Sequence, residues 1–451
     1  MDFIGPAGGS STVNQSDAQA FNQPSPALMG TDVAYHITGQ GNFEQALTLQ
    51  QLIPLWNNNK CSGCHVSGGR SPLNTDPQVP QLLFRVSVPG VADDGGPNPV
   101  PGIGGQIQPF AVVDGAGTVG IGPEGTVSTT YVEQLQSFVD GQTYSLRTPT
   151  YTPSVTMPAG TMLSPRIGPQ IAGLGLLEAV AEQDIVALAD PYDLDHDGIT
   201  GRPNRVWDAA AQQTVLGRFG WKANQPNLLQ QAAAAFNGDL GITSPFFPLE
   251  SNVPGGGRNK TGPGVKLPSG GLSSLTAAAI TLKNSASSTT PTDIDINTLF
   301  STAFYTGTLG VPATRNSSDP QVKAGQALFV AAKCAACHTP VLHTSSAAPY
   351  GLGGQTIHPY TDLLLHDMGP NLADNRPDFL ATGNEWRTPP LWGLGLSAIT
   401  SNHTNYLHDG RARNVLEAVM WHGGEGDFSR RYVAQLSQTD RDALVAFVKS
   451  L

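Results

Sequence analysis

All four cysteines of this 451-residue chain fall in two copies of one pentapeptide, Cys61-Ser62-Gly63-Cys64-His65 and Cys334-Ala335-Ala336-Cys337-His338. None is left for a disulfide framework, a separate thiolate metal site or a thiol nucleophile. In such a pentapeptide both thiols add across the vinyl groups of one haem, and the adjacent histidine becomes the proximal iron ligand. Cys61, Cys64, Cys334 and Cys337 therefore read as attachment residues, and His65 and His338 as iron ligands. The spacing suits one helical turn, which aims both sulfurs and the imidazole at one macrocycle. A redox dithiol does not require the histidine. A zinc site shared by four thiolates leaves the repeated histidine unexplained. The expected cofactors are two covalently bound haem c groups.

Composition narrows the frame around those groups. Gly (52) and Pro (36) make long, turn-rich loops, and only 13% of residues are charged. The net charge of −11 argues against nucleic-acid binding as the main task. No stretch approaches the roughly 18 apolar residues of a membrane span. Residues 1–32 are polar and lack the basic start and apolar run of a secretory signal. Covalent haem attachment normally takes place outside the cytoplasm, so the expected location is periplasmic or secreted, with the signal already removed.

The surroundings of both motifs suggest two cytochrome c-like domains of mostly α character with long loops. Gln321–Lys333 reads as a helix with Val322, Gly325, Leu328 and Phe329 on one face. The apolar run Phe43–Trp56 precedes the first motif. Ser437–Leu451 opens with a Ser437-x-x-Asp440 capping pattern and carries a stripe of Leu444, Phe447, Val448 and Leu451. The motifs lie far apart, and residues 100–154 between them look β-rich, with runs at Phe110–Val113, Thr126–Val132 and Thr143–Arg147. Ile171–Leu188 reads as helical and Ser251–Ser274 as a long surface loop. The expected division is a flexible segment 1–35, an N-terminal haem domain 36–300 with the β-rich insertion, and a C-terminal haem domain 301–451.

Asp193-Leu-Asp195-His196-Asp197-Gly198 has the spacing of a calcium loop, in which alternating carboxylates and the Ile199 carbonyl converge on a hard cation. Position twelve is Asn204 rather than glutamate, so this is no EF-hand. A solvated turn explains the same pattern.

The C-terminal third is the most distinctive part. It carries Tyr360-Thr-Asp-Leu-Leu-Leu-His366-Asp-Met368-Gly, Glu385-Trp-Arg387-Thr-Pro-Pro-Leu-Trp392, Tyr406-Leu-His408-Asp-Gly410-Arg411 and Leu416-Glu-Ala-Val-Met420-Trp-His422-Gly-Gly. With Leu216–Ala223 and Gly241–Glu250, these runs resemble the di-haem oxidoreductases, also labelled thiol oxidoreductases, over about Phe43 to Leu451. That family is distantly similar to bacterial di-haem cytochrome c peroxidases. The resemblance implies His422 as the distal ligand of the C-terminal haem, where the peroxidases usually carry methionine; Met420 and Met368 are rivals, and a buried core histidine is the plain alternative. It implies an N-terminal reaction centre with an open position, since no histidine occurs from Val66 to Asp195. It further implies an acid–base glutamate, best matched by Glu178, which could equally be an ion-paired helix residue. Arg387 and Arg411 are candidate partners of haem propionates.

The function expected is that of a di-haem oxidoreductase. Its C-terminal haem takes electrons from a small cytochrome or cupredoxin and relays them to an N-terminal haem that meets a small oxidant such as peroxide. The rivals are a non-catalytic electron carrier with both irons six-coordinate, and a haem redox sensor in a metal-uptake system.

Overall fold

The computed structural model describes residues 5–52, 54–73, 82–252 and 292–451. Most of the expected Ser251–Ser274 loop lies outside them. The frame is carried by helices α1 (Thr31–Glu44), α2 (Leu228–Leu240), α3 (Ile296–Gly307), α4 (Pro320–Ala331), α5 (Val415–Met420) and α6 (Gln438–Ser450). They pack as two matching pairs. α1 crosses α3, and α4 crosses α6.

One glycine makes each crossing. A Cβ at Gly39 would stand 1.9 Å from the Ser301 carbonyl oxygen, and one at Gly325 would stand 1.9 Å from that of Ala443. Only hydrogen lets the backbones approach so closely. The aromatic neighbours match as well: Phe43 packs on Tyr305 at 5.2 Å and Phe329 on Phe447 at 5.3 Å, between ring centroids. Because the obstacle is backbone, it cannot swing aside. Gly39→Ala or Gly325→Ala should therefore cost at least about 3 kcal/mol, the upper range for overpacked cores. Urea unfolding of the full chain checks this, and an unchanged midpoint would refute the tight crossing.

The expectation of a mostly α protein is corrected: the chain is 29% helix and 21% strand, spread over many small sheets. Most of the strand lies in two places. β1 (Leu82–Val91) pairs with β4 (Met162–Ile167), and β2 (Val127–Ser137) pairs with β3 (Thr143–Pro153) in a long antiparallel ribbon. The remaining strands are two to four residues long and sit inside the Gly/Pro-rich loops. Such short pairs are held by long-range partners and leave no period-2 pattern to read.

The ribbon lies where β structure was expected and reaches over the C-terminal half. Its tip residue Phe138 is buried under Arg441, and Arg441 also pairs with Asp140 at 2.7 Å. Tyr151 donates to Asp409 at 2.6 Å, and Arg147 donates to the Arg411 carbonyl at 2.7 Å.

Other boundaries also shift. The helix before the first motif ends at Glu44, ahead of most of the Phe43–Trp56 run. Residues 5–35, read as a flexible lead, include a fully buried Phe21 and a strand at Thr12–Val13 paired with Val311–Pro312. Helix α3 spans the expected domain boundary at 300/301 and packs on α1. Among the described residues no helix is long and apolar enough to cross a membrane.

Candidate functional site

Each pentapeptide forms a single helical turn, Cys61–Cys64 and Cys334–Cys337. One continuous cavity between the helix pairs is lined by all four cysteines and by both motif histidines. His65 donates from Nδ1 to the Pro169 carbonyl at 2.8 Å, and His338 donates from Nδ1 to the Tyr360 carbonyl at 2.9 Å. A carbonyl only accepts, so the ring proton sits on Nδ1 and Nε2 keeps its lone pair. Burial lowers the pKa of His65 and pushes that of His338 down to about 4, so both stay neutral. Phe43 braces the first ring at 6.1 Å and Phe329 the second at 6.4 Å.

His422 shows the same preparation. Asn414 caps α5 by accepting from the Glu417 amide at 2.8 Å, and the chain turns just beyond the helix. There His422 donates from Nδ1 to the Ala418 carbonyl at 2.7 Å, and burial keeps it neutral. It lines the same cavity as His338. Of its two rivals, Met420 packs in the C-terminal core, while Met368 does line the cavity.

Glu178 sits elsewhere. It is buried, and its Oε2 accepts from the Leu228 amide at 2.6 Å, at the head of α2. It is not among the cavity-lining residues. The acid that does line the wall near the first motif is Asp239, at the far end of the same helix. Its Oδ1 accepts from Gln106 Nε2 at 2.9 Å and lies 3.9 Å from Arg85. Burial raises its pKa, and its charge acts on Cys61, Cys64 and His65. Asp239 belongs to no motif, which is why the sequence did not single it out.

Two arginines line the cavity without a carboxylate at ion-pair distance among the described residues. Arg387 donates to the Gly220 carbonyl at 2.9 Å. Arg70 donates to the carbonyls of Asn405 at 3.0 Å and Leu407 at 2.9 Å. Burial brings both down to about 10. The Asp362 carboxylate offsets part of that effect at Arg387. A buried cation outside an ion pair is costly, and an anionic group in the cavity would relieve that cost. Arg411 instead pairs with Asp409 at 2.8 Å, stacks over Trp421 and does not line the cavity.

Neutral imidazoles with free Nε2, paired thiols, a mainly apolar lining and guanidiniums outside any ion pair among the described residues fit two haems with their propionates. His366, known from sequence only as part of a signature run, adds a charged cluster at the second motif. Its Nε2 contacts Asp362 at 2.8 Å, its Nδ1 contacts Glu425 at 2.7 Å, and the Cys337 sulfur lies 3.5 Å away.

In the acidic loop the carboxylates of Asp193 and Asp195 gather with that of Asp190, within 4.8 Å of one another. Asp197 turns away: its carboxylate accepts from the Ile199 amide at 2.9 Å and lies 3.7 Å from Lys333.

A family model described as "Di-haem oxidoreductase, putative peroxidase" matches residues 154–451, about two thirds of the chain. No curated protein and no solved structure matches it.

Proposed function

Because the chain belongs to the di-haem oxidoreductase family, we propose that it is an extracytoplasmic c-type enzyme reducing a small oxidant such as peroxide. Cys61 and Cys64 hold one haem and Cys334 and Cys337 the other, through thioether bonds. When bound, the haems supply electron storage at the C-terminal site and oxidant reduction at the N-terminal site. Peroxide takes up two electrons and two protons and leaves as two waters; the electrons come from a small cytochrome or cupredoxin. The acidic surface favours a basic partner.

The observation that carries this reading is an asymmetry between the surroundings of the two motif histidines. On the His338 side His422 lines the cavity with its Nδ1 proton committed to Ala418, beside Asp362 and His366, whereas the one side chain acting on His65 is the Asp239 carboxylate, with no second imidazole. The chain's own residues then divide the work. His65, His338 and His422 bind through Nε2. Arg70 and Arg387 orient the propionates. Asp239 holds and moves a proton at Oδ2, because Gln106 and Arg85 both address Oδ1. Glu178 is a positioning residue that fixes the head of α2.

Optical and EPR spectra of the oxidised and half-reduced protein test the whole. One high-spin or water-ligated haem supports the enzyme. Two low-spin, protein-ligated haems in every redox state would establish the electron-carrier reading instead. The Asp190, Asp193 and Asp195 cluster is the candidate calcium site; we expect calcium to raise the melting temperature of the native protein but not of an Asp193→Asn, Asp195→Asn variant. No bound metal in a titration removes that site.

A further inference from the structure

The two halves match far beyond their motifs. Asn227 caps α2 by accepting from the Gln230 amide, and Asn414 caps α5 by accepting from the Glu417 amide. Eight and two residues before each cap, the chain forms the same small bridge: Phe219 with Gln225, and Tyr406 with Ala412. Six residues before each cap lies a carbonyl used by the other half. Ile167 donates to the His408 carbonyl at 2.7 Å, and Arg387 donates to the Trp221 carbonyl at 2.8 Å. Ile167 and Arg387 themselves open matching runs, Pro169-Gln-Ile-Ala-Gly173-Leu-Gly175 and Pro389-Pro-Leu-Trp-Gly393-Leu-Gly395. The exchange is reciprocal, as in a two-fold interface whose two sides have diverged.

Counting from the caps fixes the register of the two helix walls. Gln231 stands for Ala418, Ala232 for Val419, and Ala235 for His422, and all six line the cavity. The residue eight positions past the cap therefore carries an imidazole in one half and a methyl group in the other.

We propose that this chain is an internal duplication in which Ala235 occupies the N-terminal counterpart of the His422 ligand position. The sixth site at the N-terminal haem is open because one side chain is missing there. The inference deepens the oxidant-reduction reading and rests on it. The ligands this opening admits are small and without a bulky body, because Gln231 and Asp239 flank Ala235 one helical turn to either side.

Full-length haem-loaded protein carrying Ala235→His tests this. The oxidised N-terminal haem should turn low-spin by EPR, and cyanide association should slow at least about tenfold, since the added imidazole now competes for the iron. Ala234→His, one residue round the helix, should change neither. If the histidine variant does not fold, Ala235→Leu should still slow cyanide association by crowding the site. A native protein with one open haem, with cyanide association unslowed in both residue-235 variants, overturns the assignment of Ala235 alone. A native protein with two low-spin, protein-ligated haems overturns the oxidant-reduction reading as well.

Discussion

Replacing His422 with glycine should turn the C-terminal haem from low-spin to high-spin while leaving the N-terminal haem spectrum as it was. His422 donates its Nδ1 proton to Ala418, its own helix carbonyl, so the ring is fixed before any iron arrives. Burial holds it neutral, and glycine removes the ligand without adding bulk beside His338. Disturbing outer-shell partners of a metal already costs about 10–100-fold in affinity or activity, so losing a ligand should lower electron-fed turnover by at least that much. Exogenous imidazole should restore part of the low-spin signal. A C-terminal spectrum unchanged by His422→Gly would transfer the role to Met368, which lines the same cavity.

Asp239→Asn should slow the reaction with peroxide by about a hundredfold or more, the lower range for a positioned acid–base group. To accept the first proton the carboxyl must be ionised. Burial raises its pKa, so activity should fall as pH drops through a value above the ordinary carboxylate range, and it should recover on the alkaline side. In Asp239→Asn that acid limb should disappear, because the amide does not titrate. Arg85 from β1 is the nearest cation, and Arg85→Gln should move the limb to still higher pH, since the guanidinium favours the ionised form. Stopped-flow peroxide kinetics from pH 5 to 8, at constant haem content, decide this. An acid limb that survives in Asp239→Asn would return the role to another group.

Most of the residues that line the cavity beside the two motifs' cysteines and histidines carry no sequence signal, and the reasons are physical. The motifs were explicit because both copies repeat the same residue types at the same spacing. The helix that sets His422 on the cavity wall was legible because it has a cap, an apolar face and a glycine stop within ten residues. Glu178 was read from its apolar neighbours, which report burial but not the direction of the void it faces. In the structure that burial serves the head of α2. Arg70 stayed hidden because its partners are backbone carbonyls more than 300 residues away, and carbonyls have no sequence signature. Secondary structure followed the same rule. α4, α5 and α6 were found from their periodicity and caps, whereas two-residue strands in glycine-rich loops depend on partners that no local pattern reveals.

The reciprocal bonds between the halves carry a consequence for biosynthesis. The wall beside the first motif borrows the Trp221–Arg387 bond, and the second half borrows the Ile167–His408 bond. The one cavity these bonds enclose is lined as far along the chain as Val448, so its wall is complete only when nearly the whole chain has been made.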